Sequence, residues 1–69
     1  MSGKIKELIN EILEKRAKGN DFLVSITKAK MALKGIDADK YTEESKDDPL
    51  ILDKLRTIAK EMNLNISSV

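Results

Sequence analysis

Apolar residues recur at helical spacing through nearly all of this short chain, and that period favours helices packed on helices over any sheet architecture. Ile5, Leu8, Ile9, Ile12 and Leu13 stand at i, i+3, i+4, i+7 and i+8, which draws one apolar stripe along a helix of about four turns. Glu11 with Lys15 and Glu14 with Lys18 have the favourable i,i+4 order. Lys15, Arg16 and Lys18 sit where the helix dipole favours cations, and Gly19 can take a left-handed cap. A first helix is therefore expected over residues 2–18.

Asn20 or Asp21 is the expected N-cap of a second helix, over residues 21–34, which closes at Gly35. This segment has two apolar sides. On a wheel of about 100° per residue, Phe22, Ile26, Ala29, Leu33 and Ile36 share one side. Val24 and Met31 point nearly opposite, with Leu23 between. The first side is expected to face the core, with Phe22 as its anchor at the turn after helix 1. The second side must then meet either a third helix or another chain.

Asp48-Pro49 is the strongest local signal: a carboxylate able to accept from free amides, then a residue preset for the first helical position. A third helix follows over residues 49–62, with Ile51, Leu52, Leu55, Ile58, Ala59 and Met62 on one broad face and Leu50 off it. Between the second and third helices, residues 36–48 read as a loop, in which Ala38 to Tyr41 could make one helical turn. The tail, residues 63–69, alternates like a strand but has no partner strand, and is expected to be flexible or to fold back. The whole is expected to be all-α, a single domain over residues 1–69: a helical hairpin plus a third helix in a small three-helix bundle.

Composition narrows the function classes. The 69 residues include no histidine, cysteine or tryptophan. The commonest general base, the thiol nucleophile and the favoured zinc ligands are therefore missing. Ser25, Thr27 and Ser45 have no histidine to activate them, and a reactive Lys28 or Lys30 would need a desolvated pocket that three short helices hardly enclose. Carboxylate pairs such as Glu43 with Glu44, or Asp47 with Asp48, lie on a hydrophilic loop and read as hydrated. The expectation is a protein without enzymatic activity, cofactor or metal.

The acidic loop does place Asp37, Asp39, Tyr41, Glu43, Ser45 and Asp48 at the ligand positions of a calcium loop. Thr42 stands where such a loop needs glycine, and Asp48 where it needs a bidentate glutamate. The better reading is a linker that caps the third helix.

Net charge is only +1, but residues 1–36 carry eight Lys/Arg against four Asp/Glu, and residues 37–69 carry five against eight. Lys15, Arg16, Lys18, Lys28, Lys30 and Lys34 form the basic half. They spread around two helices with no aromatic residue interleaved, which argues against nucleic-acid binding. The amphipathic first helix lacks an aromatic anchor and has mixed charge on its polar face, so core packing explains it better than a membrane surface. No secretory leader and no membrane-length apolar run is evident, which points to a cytoplasmic protein. Asn65-Ile66-Ser67 would be a glycosylation sequon only in a secreted chain, and Ser67-Ser68-Val69 is too short a match to a captured C-terminus to carry weight.

The functional expectation is a non-catalytic helical protein–protein interaction module that self-associates as a homodimer. Its contact surface is expected at Leu23, Val24 and Met31, with Tyr41 as a further anchor on the loop. The alternative is a small regulatory or adaptor domain that docks electrostatically on a larger protein, with nucleic-acid binding ranked last.

Overall fold

A computed structural model describes residues 3–66 of the chain. It contains three helices, α1 (Lys4–Ala17), α2 (Asp21–Leu33) and α3 (Pro49–Glu61), and no strand among the described residues. The all-α three-helix bundle is the fold expected from the periodicity, and each helix ends within two residues of its expected bounds. Of the tail, residues 67–69 lie outside the described residues, and with them the end of the sequon and the C-terminus.

The caps explain the boundaries. α1 stops where Lys18 and Gly19 both turn left-handed, at φ 48° and 83°. Lys18 uses its backbone N–H to reach the Glu14 carbonyl. Asn20 then opens α2, its side-chain oxygen accepting from the Leu23 N–H at 3.1 Å. At the far end the Ile36 N–H donates to the Met31 carbonyl and the Gly35 N–H to that of Ala32, both at 2.9 Å. This is a Schellman closure, with left-handed Gly35 turning the chain back and an apolar residue following it. α3 begins with Asp48 accepting from Leu50 at 3.0 Å and ends in the same closure, with Asn63 in the glycine's place at φ 58°.

α1 is the shared partner in the bundle: α2 packs on one side of it and α3 on the other, while α2 and α3 approach each other much less. The core holds Ile5, Leu8, Ile9 and Ile12 from α1, Met31 from α2, Ile36 and Ala38 from the loop, and Leu52, Leu55, Ile58 and Ala59 from α3. Leu64 and Ile66 fold back and pack against it, and Lys15 holds the carbonyl of Asn65. The alternating tail therefore serves as a lid on the bundle's edge, up to the last described residue.

The acidic segment is pinned at its C-terminal end to the starts of two helices. Asp47 accepts from the Lys4 N–H at 3.1 Å, the Ser45 carbonyl accepts from Gly3 at 3.0 Å, and Asp48 caps α3. Adjacent aspartates thus cap two different helices, where the sequence reading assigned this loop to α3 alone. The expected turn near Ala38 is present, closed by Lys40 donating to Asp37 at 3.1 Å, and it buries Ala38.

Candidate interaction surface

α2 settles with the opposite side inward from the one expected. Met31 is completely buried, and Thr27 beside it on the wheel is buried too, its hydroxyl donating back to the Leu23 carbonyl at 2.7 Å. That bond satisfies the one polar group this face takes into the interior. Leu23 and Val24 are half-buried. On the other side Phe22 is 72% exposed, Ile26 45% and Leu33 88%, with Ala29 exposed between them.

Two expectations are thereby corrected. Phe22 is a surface residue and not a core anchor, and Met31 is enclosed within a single copy and cannot belong to a contact surface. The cause lies at Gly35. The wheel counted Ile36 with Phe22 and Leu33, but the helix ends at Leu33 and left-handed Gly35 redirects Ile36 into the core, on the Met31 side. A wheel carried past the end of a helix assigns that residue to the wrong face.

The outward residues form a continuous stripe. Phe22, Ile26, Ala29 and Leu33 are separated by four, three and four residues, the spacing of a seam that one helix offers to another. Ser25 and Ala32, both exposed, border it on one flank, and Leu23 and Lys30 on the other. Arg16 and Lys30 line an open groove beside Ile26, closed by Glu61 at the end of α3 and by Met62 and Asn63 just beyond it. Leu50, 64% exposed, sits apart in another open groove with Lys34, Lys54 and Asp53.

Tyr41 is half-buried and packs against the core, at the edge of a third groove with Lys6, Asp39 and Glu43. That groove includes none of the stripe residues. Ile26, Ala29 and Leu33, expected from the sequence to face the core, are exposed, and their heptad-like spacing with Phe22 makes them one row.

Three of the six cations of the basic half are held in ion pairs. Lys15 pairs with Glu11 at 2.9 Å, Lys28 with Asp39 at 2.8 Å and Lys34 with Glu61 at 3.5 Å. The hydrogen bond and charge of Lys28 hold the Asp39 carboxyl below its ordinary value, with a smaller pull from Lys6 that acts against slight desolvation. Carboxylates of the loop are spent separately, on Lys28, on the two helix caps, and on the Asp39 N–H that Asp37 accepts at 3.1 Å. Among the described residues no group of three or more acidic, histidine or cysteine side chains is placed to hold a metal ion, and no helix is long and apolar enough to cross a membrane. Comparison of the chain with protein-family models, curated proteins and solved structures finds no match.

Proposed function

We propose that this protein is a non-catalytic helical interaction module that self-associates in the cytoplasm through the outer face of α2. The observation that carries this reading is the exposed stripe of Phe22, Ile26, Ala29 and Leu33 on a helix whose other face already supplies the core. Large apolar side chains scattered singly over a surface need no explanation, but a contiguous row at helix-pairing spacing does. The seam has no charged residue within it, which suits an apolar partner better than an electrostatic one.

The dimer is weak by arithmetic. Three large side chains per copy contribute roughly 1.5–3 kcal/mol each when fully buried, and association costs roughly 4–15 kcal/mol. The net result is a transient contact at the small end of specific interfaces, below about 1,200 Å² in total. Sedimentation equilibrium tests it: the protein dimerises at high micromolar concentration with little salt dependence, and Leu33→Asp is monomeric while its denaturation curve is unchanged. A wild-type protein that stays monomeric there overturns the reading. Association that collapses with salt does so too, in favour of electrostatic docking.

A further inference from the structure

We infer that the second copy pairs with α2 antiparallel, about a twofold axis crossing the helix between Ile26 and Ala29; this rests on the self-association reading above. The two ends of the stripe match in side-chain size and its two middle residues are complementary, one large and one small. Reversed on itself about that point, it sets Phe22 against the partner's Leu33 and Ile26 against the partner's Ala29. Each bulky Ile26 then fills the space over a methyl group, and the twofold repeats the fit on the other side.

A parallel pair sets every residue against its own copy. The Ala29 layer would then hold two methyl groups between layers of paired isoleucine and paired leucine, and the gap would lose dispersion contacts on both walls.

Charge and backbone access favour the same direction. Asp21 is the one acidic residue of α2 and stands at its start, whereas Lys28, Lys30 and the cap residue Lys34 crowd its second half. Lys28 and Lys34 are paired with Asp39 and Glu61, which leaves Lys30 as the cation beside the seam; parallel pairing sets the two Lys30 residues at one level and antiparallel pairing separates them. Antiparallel packing also makes each flank of the seam meet itself. Exposed Ser25 then lies beside the partner's Ala32, two small side chains that let the backbones come close, and the Lys30 stem lies along the partner's Leu23.

The absence of native cysteine makes disulfide trapping in the full chain a clean test. Ser25→Cys and Ala32→Cys leave the stripe intact, and an oxidised mixture of the two yields the covalent heterodimer as its main product. Phe22→Cys oxidised alone yields none, because eleven residues at about 1.5 Å rise keep the two sulfurs roughly 16 Å apart, beyond disulfide reach of about 7 Å between Cα atoms. Sedimentation of the unmodified protein separates the possible failures. A dimer that traps through Phe22→Cys alone, or one that traps in neither format, overturns the antiparallel arrangement and leaves self-association standing. A monomer overturns both.

Discussion

α1 and α2 are nearly equal in length, 14 and 13 residues, and they pack on each other, yet they dispose of their apolar residues in opposite ways. α1 carries one stripe and buries it: Ile5, Leu8, Ile9 and Ile12 are all inaccessible. α2 carries apolar residues nearly all round and buries the less apolar side, with a threonine at its centre, while its most continuous stripe stays in solvent. An amphipathic pattern names the inner face only when the other face is polar. Where both sides are apolar, neighbouring elements decide, and the side left over becomes available for contact.

The sharpest way to break this comparison is to put a charge on each side of α2. Met31→Asp buries an unpaired carboxylate and is expected to abolish cooperative folding, since an uncompensated buried charge costs at least several kcal/mol. Leu33→Asp, two positions on, is expected to shift the monomer's stability by no more than about 0.5 kcal/mol. Urea denaturation at low micromolar concentration reads both, and a larger loss from Leu33→Asp than from Met31→Asp would mean that the faces of α2 are reversed from those described.

α1's fixed placement is tested at its start. Gly3 has φ 92°, and a Cβ there would lie 2.6 Å from the Glu43 carbonyl oxygen. Gly3→Ala should therefore destabilise by about 1–3 kcal/mol through backbone strain and the forced movement of the loop. A neutral result in thermal unfolding would detach the loop from α1.

The two caps sharpen the same point on a smaller scale. Asp47→Ala and Asp48→Ala should each cost about 0.5–2 kcal/mol. The first should loosen the amides at the start of α1 and the second those at the start of α3, as hydrogen exchange can resolve. Protection lost only at α3 in both variants would contradict the division of labour between the adjacent aspartates.

The smallest effect belongs to the Lys28–Asp39 pair, which tethers α2 to the loop. Asp39 has its carboxyl lowered below 3.8 in the folded protein, so the pair adds stability above that pH and loses it as pH falls through the folded value. Thermal melts of Asp39→Asn should run slightly below wild type near neutral pH and converge with it in acid, and high salt should shrink the difference. A gap that widens in acid would reverse the sign and reject the pairing.

Much of the fold was legible because its signals are local. Asp48-Pro49 marks the start of α3, Gly19 and Gly35 mark left-handed stops, and the α1 stripe names its own inner face. Leu50 stands off the α3 stripe in the sequence and is exposed in the fold. What escaped was contact across distance. Nothing near Asp47 in the sequence announces that its carboxylate will meet Lys4, and Asn63 replaces the glycine by which a Schellman stop is usually recognised. Which side of α2 turns inward was not legible, because a helical wheel includes Ile36 although the helix ends at Leu33 and left-handed Gly35 directly precedes Ile36.

The sequence by itself determined that this protein is three helices with an aliphatic interior and without histidine or cysteine, since helical period, caps and residue chemistry act over a few neighbouring positions. Only the tertiary structure decided that α1 is the shared helix and that Met31, not Phe22 or Leu33, enters the core. Rotation of a helix about its own axis is set by what packs beside it and by where its caps send the chain. A segment apolar on both sides leaves that choice open until its neighbours are in place.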